Sequence, residues 1–507
     1  MVIRGREKGK AFDESEDSPE TMKIRNLHIR FLFSHGKAGK KGPVPFFPCY
    51  DDAMSEHHLI IGGNAAGMTA ASRARRLDPS LAITILESSR HISYSICGLP
   101  YCLGGTVSRF EDLILFTPES LLNERRIEAR IETRAVEILP SRRMVVVESS
   151  GTGQRETLKY DKLLVATGYQ PITPRVEGIE AGGVFTASRI EDGEAISEWL
   201  GSGVKRNAVI IGGGFVGLEI AEALRSRGLE VTLVEKSASI FKALDEDMAG
   251  FLEAELNSKG VTVLTRRALG RILTRRNGSV EAVEIEGSRR LLPADVVFVD
   301  IGVTPRVDLA VSAGIGLGVS GAIQVSNRME TNVPGIYAAG NCAESIHRVT
   351  GRPVVASTGT VAVKQGRVAG ENMAGRVAHF QGVLGTAALK LFDLRVARTG
   401  LSSAEAKREG FHVVDAKIEA PFRAPYFGEN RPGTVKVTAD ADTGRLLGAQ
   451  IAGNEMAALG IDTLAAAIQS GMSVDEGAQL DLAYTPALGA LWNPVLIAMN
   501  ALLKKLK

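Results

Sequence analysis

The sequence predicts an α/β protein with two Rossmann-like dinucleotide-binding domains and a C-terminal α+β domain, and three observations support this. A strand, a glycine-rich turn and a helix follow one another from residue 58, in HHLIIGGNAAGMTAASRARRL. The same order recurs from residue 207, in NAVIIGGGFVGLEIAEALRSRG, so two βαβ units are expected. After about residue 380, alternating runs such as GTVKVTADADTGRLLGAQIAG predict antiparallel strands, with helices from residue 455.

The 507 residues divide into a predicted N-terminal extension and segments of three domains. Residues 1–54 combine charge clusters with Gly, Pro and Lys and show no periodicity, which predicts a disordered extension. Met54 stands directly before the first strand and is an alternative start. The first dinucleotide-binding domain is expected in two parts with the second domain between them, so that the segments are 55–171, 172–290, 291–378 and 379–507.

The composition is that of an ordinary globular protein and argues against several classes. The net charge is only +2, so no overall attraction to nucleic acid or to an anionic membrane is predicted. The four cysteines, at positions 49, 97, 102 and 342, include no CxxC pair, and no histidine spacing is typical of a metal site. We therefore expect no bound metal, no disulfide scaffold, no secretory signal and a cytoplasmic location.

The uncharged segment 482–503 resembles a membrane span in its composition. Pro486 and Pro494 interrupt it, and so do Asn493 and Asn500. Because such breakers are scarce in isolated spans, we expect an apolar surface at a subunit interface instead.

The second glycine-rich turn is a complete GxGxxG motif between a strand and a helix. Gly212 permits the tight turn, Gly214 lets a pyrophosphate approach the backbone, and Gly217 lets the helix pack on the strand. Glu235 ends the next strand, where its carboxylate can accept hydrogen bonds from the adenosine ribose and would repel a 2′-phosphate. This predicts nicotinamide-dinucleotide binding with NADH favoured, although Lys236 beside the acid leaves NADPH open.

The first glycine-rich turn has Asn64 where the motif has its middle glycine, and Glu87 ends its second strand. Two later strands run into glycine turns, TLKYDKLLVATG at 157–168 and TNVPGIYAAGN at 331–341, at the spacings expected where a sheet wraps another dinucleotide. The predicted contacts to this nucleotide come from the turns and strand ends: Gly62, Asn64, Ala66, Gly67, Glu87, Ser88, Ala166, Thr167, Gly168, Gly340 and Asn341.

Cys97 lies ten residues after Glu87, in HISYSICGLPYCLGG. A cysteine that opens a helix-like stretch beside Gly and Pro can have its thiolate stabilised by unpaired backbone N–H groups. The alternative is an inert, buried cysteine, which is common in intracellular proteins. Cys102 allows a Cys97–Cys102 dithiol, but five residues along a regular helix are too far for a disulfide, so we favour a packing role for Cys102.

With these residues in place, the chain resembles the single-cysteine branch of the pyridine nucleotide–disulfide oxidoreductases, from about residue 57 to the C-terminus. The most specific segments are SYSICGLPYCLGG after GGNAAGMTAASRARRLDP, together with VIIGGGFVGLEIAEAL and TNVPGIYAAGNCAE. The likeness is strongest to coenzyme A disulfide reductases and to NAD(P)H-dependent persulfide or polysulfide reductases. It implies bound FAD, a homodimer formed by residues 379–507, and a Cys97 over the flavin that cycles between thiol and mixed disulfide.

The resemblance also implies roles at the nicotinamide site. Phe215 would be an aromatic gate that moves to admit nicotinamide, with Val216 next to it in the turn. Glu219 would lie near the contact between flavin and nicotinamide. Residues 364–366 resemble the stretch at the family's flavin site.

At the substrate end, the resemblance implies that Tyr426 and Tyr484 come from the partner subunit and act in catalysis beside Cys97. Arg75 and Arg76 match basic positions that would receive the phosphates of coenzyme A. The alternative for this arginine pair is an exposed helix face.

Four departures from the family pattern bear on the flavin and on the substrate. Ala65 stands where the related NADH oxidases and peroxidases have a histidine, which argues against oxygen or peroxide chemistry. Asn341 replaces the usual flavin-binding aspartate, so a charge-assisted hydrogen bond is lost. Cys102 and Ile96 replace a usual tyrosine and an often polar neighbour, so the substrate pocket is expected to differ.

The sequence therefore predicts an FAD-dependent NAD(P)H oxidoreductase that reduces a small disulfide, or a persulfide or polysulfide, through Cys97. One alternative is an NAD(P)H oxidase in which oxygen reoxidises the flavin. Another is an electron-transfer reductase for a protein such as ferredoxin, which would need no cysteine over the flavin. A last alternative is a redox sensor that holds FAD without efficient turnover.

Overall fold

The computed structural model describes residues 55–288, 290–424, 426–427 and 432–507, and the predicted N-terminal extension lies outside them. Within these residues the chain forms three five-stranded sheets and four smaller ones. Two of the large sheets are parallel and the third is antiparallel. This confirms the predicted fold class, whereas the exact domain boundaries remain a prediction.

The first parallel sheet gathers strands from two distant parts of the chain. Its strands are β1 (His57–Ile61), β2 (Ala82–Leu86), β3 (Glu128–Arg130), β7 (Lys162–Val165) and β18 (Ile336–Ala338). They lie in the order β18-β7-β1-β2-β3. The central strands are buried, apolar runs, as expected of a parallel sheet that is covered on both faces. The main helices of this unit are α1 (Ala65–Leu77) and α8 (Gly359–Met373).

Helices α1 and α8 pack against each other at very short range. A Cβ atom at Gly366 would lie 2.2 Å from the carbonyl oxygen of Ala66, and one at Gly370 would lie 2.4 Å from that of Ala70. Any larger residue would push the helices apart, so the two glycines of α8 set the position of α1.

The second parallel sheet repeats the arrangement with a continuous stretch of chain. Its strands are β9 (Val184–Phe185), β10 (Asn207–Ile211), β11 (Glu230–Val234), β12 (Val261–Leu264) and β16 (Val296–Val299). They lie in the order β12-β11-β10-β16-β9. The helices of this unit are α4 (Ile190–Gly201), α5 (Phe215–Ser226) and α6 (Glu246–Ser258).

The third sheet is antiparallel and forms the C-terminal domain, as the alternating pattern predicted. Its strands are β21 (Ala387–Leu391), β22 (Leu394–Gly400), β23 (Val413–Ala420), β24 (Gly433–Asp440) and β25 (Leu446–Gly453). They lie in the order β21-β22-β25-β24-β23. Its helices are α9 (Ser403–Arg408), α10 (Glu455–Ser470), α11 (Val474–Ala478) and α12 (Pro494–Leu506).

Shorter elements connect these units. Two three-stranded sheets consist of β4 (Thr133–Leu139), β5 (Met144–Ser149) and β6 (Arg155–Lys159), and of β13 (Leu269–Thr274), β14 (Val280–Ile285) and β15 (Leu291–Pro293). Two-stranded ribbons pair β8 (Tyr169–Pro171) with β17 (Val303–Pro305), and β19 (Glu344–Ile346) with β20 (Pro353–Val355). The remaining short helices are α2 (Leu99–Leu103), α3 (Pro118–Arg125) and α7 (Asp308–Ser312).

A buried ion cluster joins the second unit to the antiparallel sheet. Lys436 of β24 is 6% exposed, and its Nζ lies 2.9 Å from carboxylate oxygens of both Asp245 and Asp247 at the start of α6. Asp245 also accepts hydrogen bonds from the Ser403 N–H and the Gln450 amide. Because the charges are paired and their remaining sites are hydrogen-bonded, the cluster can hold α6 against the sheet in one geometry.

The uncharged C-terminal segment contains one helix rather than a continuous one. Pro494 begins α12, and residues 482–493 form no helix. Among the described residues, no helix is long and apolar enough to cross a membrane. Leu488, Leu491 and Trp492 are 71–73% exposed in the single chain, which is the exposure expected of the predicted subunit interface.

Candidate active site

The site begins at the carboxyl edge of the first sheet, where the turns after three neighbouring parallel strands lie side by side. Gly62 has a φ of +108°, and a Cβ there would lie 2.1 Å from the Ala166 carbonyl oxygen. A Cβ at Gly67 would lie 1.9 Å from the Gly62 carbonyl oxygen. Only glycine fits both positions, so the turn stays tight and the N-terminus of α1 lies over the edge of the sheet.

The two other turns of this edge are fixed by side chains. After β7, the Thr167 hydroxyl donates to the Arg306 carbonyl oxygen at 2.6 Å, and Gly168 follows with a φ of +71°. After β18, the Gly340 N–H donates to the amide oxygen of Gln365 at 2.8 Å. A Cβ at Gly340 would come within 3.0 Å of the Ala66 side chain. The three turns therefore pack as one cradle.

Asn341 leaves an acceptor unsatisfied in this cradle. Its side-chain oxygen is buried and has no hydrogen-bond partner in the described part of the chain. A buried acceptor without a partner costs free energy, so the position calls for a ligand donor. The hydroxyl groups of FAD are such donors, and together with the glycine cradle the orphaned oxygen fits bound FAD.

The second sheet has an equivalent glycine turn. Gly212 has a φ of +108°, and a Cβ there would lie 1.9 Å from the Asp300 carbonyl oxygen. The Gly217 N–H donates to the Asp300 carboxylate at 2.8 Å, and a Cβ at Gly217 would lie 2.2 Å from the Gly212 carbonyl oxygen. Gly214 precedes α5 and has no side chain to cap the helix, so its N-terminus is left for a phosphate. The role of Asp300 was not predicted, because it depends on β16 lying beside β10.

The acids at the ends of the second strands adopt the same arrangement in both units. Each accepts one backbone N–H from its glycine turn and another from the residue two positions further along. The distances are 2.9 Å from both Gly63 and Ser89 to Glu87, and 3.0 and 2.7 Å from Gly213 and Ser237 to Glu235. Burial raises the pKa of Glu235, but these hydrogen bonds outweigh it and leave that pKa below its usual value. Ser88 contacts the carboxylate of Glu87 at 3.4 Å.

Asn64 has a role that the motif did not indicate. Its side-chain oxygen accepts a hydrogen bond from the Tyr94 N–H at 3.2 Å, and it does not cap α1. The Ser93 N–H also donates to the Gly63 carbonyl oxygen, at 3.0 Å. These bonds tie the segment before Cys97 to the first glycine turn.

Cys97 lies in a 3-10 turn, Ile96–Gly98, and is exposed in the single chain. Although the side chain is accessible, neighbouring protein atoms partly desolvate the sulfur. This desolvation and the charge of Glu219 raise the pKa of the Cys97 thiol. A backbone hydrogen bond acts in the direction that the sequence predicted and lowers this pKa, but burial and the charge of Glu219 outweigh it. Helix α2 begins only at Leu99 and spans five residues.

The surroundings of Cys102 argue against a redox role. It is half-buried and packs against the apolar cluster of Tyr94, Leu113 and Ile190, and its sulfur lies 3.5 Å from the Arg109 carbonyl oxygen. Among the described cysteines, Cys97 and Cys102 are both free. This arrangement supports the packing role that the sequence favoured.

The first turns of α5 present the residues expected at the nicotinamide site. The Phe215 ring packs edge-on against Phe241 with centroids 4.5 Å apart, and Val216 is half-buried beside it. Burial, followed by the charges of Glu222 and Asp300, raises the pKa of Glu219 to about 7. Glu219 can therefore hold or release a proton near neutral pH.

The two predicted catalytic tyrosines are open to solvent in the single chain. Tyr426 is 73% exposed and Tyr484 is 45% exposed. Within the described residues, no hydrogen bond or ring contact joins either of them to Cys97. Their role therefore stays a prediction that requires the partner subunit.

Arg75 and Arg76 line a pocket with Ser72, Pro79, Glu124, Arg125 and Arg126. The Arg75 guanidinium donates to three carbonyl oxygens, those of Arg125, Pro79 and Arg126, at 3.1, 2.8 and 2.7 Å. The Arg75 guanidinium is therefore already used in hydrogen bonds that fix the backbone around this pocket. Arg76 makes one such bond, to Ser72, and is otherwise exposed.

Two dinucleotide cradles and an exposed cysteine tied to the first of them define a flavin-dependent, nicotinamide-dependent oxidoreductase. Residues 56–366 match the family model for pyridine nucleotide-disulphide oxidoreductases, and residues 386–494 match the dimerisation domain of that family. The chain therefore belongs to the pyridine nucleotide-disulphide oxidoreductases, whose cofactors are FAD and NAD(P)H.

Relatives match over nearly the whole described chain. An NADH oxidase of Methanocaldococcus jannaschii is 35% identical over 88% of this chain and 99% of its own length. An NAD(P)H coenzyme A polysulfide/persulfide reductase of Pyrococcus horikoshii is 34% identical over 89% and 99%. The solved structure of an NAD-dependent persulfide reductase from A. fulgidus is 39% identical, with a TM-score of 0.86 over 89% of this chain and 83% of that one.

Proposed function

We propose that this protein uses NAD(P)H and FAD to reduce a small disulfide, or a persulfide or polysulfide, through Cys97. The observation that carries the proposal is the exposed Cys97 thiol on a segment hydrogen-bonded to the FAD cradle through Asn64 and Tyr94. A ferredoxin-type reductase needs no such cysteine. The persulfide reductases among the relatives add support.

FAD, when bound, would supply two-electron transfer between nicotinamide and sulfur. The thiolate of Cys97 attacks one sulfur of the substrate disulfide, forms a mixed disulfide with it, and releases the other sulfur as a thiolate. Two electrons originating in NAD(P)H then cleave the mixed disulfide, which regenerates Cys97 and releases the second thiol. With a polysulfide or persulfide, the released products include sulfide in place of one thiol.

Protons for the leaving thiolates have two sources in this proposal. Glu219 acts electrostatically on Cys97 and titrates near neutral pH, so it can hold a proton beside the reacting sulfur. Tyr426 and Tyr484 would donate from the partner subunit. Their exposure in the single chain is compatible with such a contribution.

Coenzyme A or its persulfide is the substrate class that the arginine pocket favours. Arg76, Arg125 and Arg126 concentrate positive charge there, and Arg75 braces the wall. Phosphate groups bind well to such clusters because guanidinium pairs with them bidentately. We propose Arg76 as the direct phosphate contact of the predicted arginine pair.

The decisive experiment replaces the redox cysteine. Cys97→Ser should abolish NAD(P)H-dependent reduction of coenzyme A disulfide and polysulfide, while anaerobic flavin bleaching by NAD(P)H persists. Cys102→Ser is the matched control and should retain disulfide turnover within about threefold, since a half-buried thiol that packs against an apolar cluster is not needed for the chemistry. Turnover of disulfides by the Cys97→Ser enzyme would sink the proposed mechanism.

An NAD(P)H oxidase is the second candidate, because one relative carries the name NADH oxidase. Ala65 is exposed at the start of α1 and has no group to assist oxygen reduction. We therefore expect slow NAD(P)H oxidation in air without a sulfur acceptor, and faster oxidation once polysulfide or coenzyme A disulfide is added. Equal rates with and without acceptor would favour the oxidase.

We also propose that the protein is a cytoplasmic homodimer. The match of residues 386–494 to a dimerisation domain and the exposed apolar side chains of residues 482–493 support the dimer. Light scattering of the FAD-loaded protein should give twice the 54.0 kDa chain mass. A monomer would remove the proposed role of the two tyrosines.

A further inference from the structure

The carboxylate of Asp300 lies inside the glycine turn of the second sheet. Asp300 follows β16 directly, and its N–H donates to the Ile211 carbonyl oxygen at 2.7 Å, which places it beside the end of β10. One of its carboxylate oxygens accepts the Gly217 N–H at 2.8 Å, and a Cβ at Gly214 would lie 3.1 Å from the same oxygen. An acidic side chain from a neighbouring strand therefore reaches the glycine at which a pyrophosphate approaches the backbone.

This carboxylate and a bound pyrophosphate require the same end of α5. The N-terminus of a helix stabilises an anion, and Asp300 already supplies one, because it accepts the N–H of the third helical residue. A dinucleotide brings the negative charges of its two phosphates to the same turn. Like charges repel at such distances, and the partial burial of Asp300 strengthens the repulsion. The ionised carboxylate therefore opposes the binding of the nucleotide.

The groups around Asp300 do not neutralise its charge. Three titratable groups face it from different elements: Glu219 on α5, Glu235 at the end of β11 and Tyr169 on β8. The cations Lys242 and Arg306 act on Glu235 and on Tyr169, respectively. Among the residues that the structure describes, no lysine, arginine or histidine forms an ion pair with Asp300.

The protein itself already favours the neutral form of this acid. Burial raises the pKa of Asp300, the charge of Glu235 adds to this increase, and the hydrogen bond from Gly217 offsets only part of it. Phosphate groups in the turn act in the same direction as Glu235, since they are also negative. Asp300 is therefore easier to protonate when the nucleotide is bound than when the turn is empty.

We propose that Asp300 takes up a proton from solvent when the nicotinamide dinucleotide binds, so that nucleotide binding is coupled to protonation. The neutral carboxyl group no longer repels the pyrophosphate, and its O–H can donate a hydrogen bond to an oxygen of the ligand. Because binding consumes a proton, the affinity for the nucleotide falls as pH rises. This inference goes beyond the proposed function, because it concerns the nucleotide and not the sulfur acceptor.

The test counts protons by calorimetry of the FAD-loaded enzyme. Titration with ADP-ribose in two buffers of different ionisation enthalpy gives the number of protons taken up per ligand bound. ADP-ribose carries the pyrophosphate without the nicotinamide ring, so the place expected beside Glu219 stays empty. The wild type should take up about half a proton or more at pH 7, and its affinity should fall by up to about tenfold per pH unit.

Asp300→Asn removes the charge and keeps a side-chain oxygen for the Gly217 N–H. In this variant proton uptake should disappear, and ADP-ribose should bind about tenfold more tightly than to the wild type at pH 8. Asp308→Asn is the matched control, because it removes an exposed carboxylate at the start of α7. It should keep the proton uptake and the affinity of the wild type.

Three results would overturn the inference. One is binding of ADP-ribose by the wild type without proton uptake between pH 6 and 8, which needs no variant to measure. Another is wild-type proton uptake in Asp300→Asn, which would assign the proton to a different group. The third is failure of ADP-ribose to bind, which would remove the pyrophosphate from this turn. None of them affects the proposed function, which fails instead if Cys97→Ser still reduces disulfides.

Discussion

At the scale of single residues, Glu219 is the side chain most affected by its surroundings. Burial raises its pKa from the usual 4.5 to about 7, the charges of Glu222 and Asp300 add to this increase, and the charge of Lys390 opposes it. Burial, followed by the charge of this carboxylate, raises the pKa of Cys97 and of Tyr101. The protonation of Glu219 and the reactivity of the Cys97 sulfur are therefore linked.

Replacing Glu219 should make Cys97 more reactive. In Glu219→Gln no charge opposes formation of the thiolate, so the pH midpoint for Cys97 alkylation by iodoacetamide should move downward. Peptide mass spectrometry can follow Cys97 separately from the other cysteines. Glu198→Gln, on the exposed face of α4, should leave the midpoint unchanged. An unshifted midpoint in Glu219→Gln would show that the carboxylate does not act on the sulfur.

The same substitution should change how stability depends on pH. The pKa of Glu219 is higher in the folded chain than in the unfolded chain, so the unfolded chain loses its proton first as pH rises. Wild-type stability therefore falls between pH 4.5 and about 7, and Glu219→Gln should be free of this loss. Urea unfolding should show the variant gaining roughly 2 kcal/mol over the wild type at pH 8 and little at pH 4.5. A gain independent of pH would exclude this cause.

At the scale of elements, the contact between α1 and α8 sets the FAD cradle. Gly366 and Gly370 let the backbone of α8 approach the carbonyl oxygens of α1, which begins at the first glycine turn. The side-chain oxygen of Gln365, also on α8, accepts a hydrogen bond from the Gly340 N–H at 2.8 Å. A displacement of α8 would therefore move the first glycine turn and the turn at Gly340, which are two of the three turns of the FAD cradle.

Gly370→Ala should destabilise the protein, although alanine is normally the better helix former. The added Cβ would meet the Ala70 carbonyl oxygen at 2.4 Å, so the free energy of unfolding should fall by about 1–3 kcal/mol and FAD should dissociate more readily. Gly250→Ala in α6 is the control, because a Cβ there meets nothing within 4 Å. That variant should gain up to about 1 kcal/mol. Equal effects of the two substitutions would contradict the packing argument.

The sequence was sufficient to predict those elements whose signals are local. The glycines of both turns, the acids Glu87 and Glu235 and the antiparallel pattern of the last domain all follow from short-range rules. The 3-10 turn at Cys97 and the carbonyl contacts of Arg75 could not be predicted in this way. They depend on which strand or helix lies nearby in space, and neighbours distant in the chain leave no periodicity to detect.

At the scale of the whole molecule, the ion cluster around Lys436 links the nicotinamide unit to the C-terminal sheet. Burial lowers the pKa of Lys436, but its hydrogen bonds to Asp245 and Asp247 and the charges of Asp245 and Asp415 outweigh this effect and raise that pKa above its usual value. Burial likewise opposes ionisation of Asp245, yet its hydrogen bonds leave its pKa below the usual value. The pair therefore stabilises the fold at pH values that lie above the normal pKa of aspartate and below the normal pKa of lysine.

Lys436→Met should cost far more stability than loss of a surface cation. It leaves the buried Asp245 without its counter-charge, so a decrease of about 3–5 kcal/mol in the free energy of unfolding is expected. Lys417→Met removes an exposed partner of Asp247 at 2.8 Å and should cost less than about 1 kcal/mol. Chemical denaturation of both variants at pH 7 makes the comparison. Similar losses in the two would show that the buried pair has no special role.

The ribbon of β8 and β17 brings together the two ends of the chain segment that contains the second parallel sheet. Pro171 pairs with Val303, so the chain that leaves for the second parallel sheet returns beside its point of departure. Paired antiparallel residues have Cα atoms about 5 Å apart, a gap that a very short linker can close. Residues 172–302 can thus be regarded as a cassette with adjoining ends. Exchange of this cassette between homologous proteins would transplant nucleotide preference while leaving the remainder of the backbone connectivity intact.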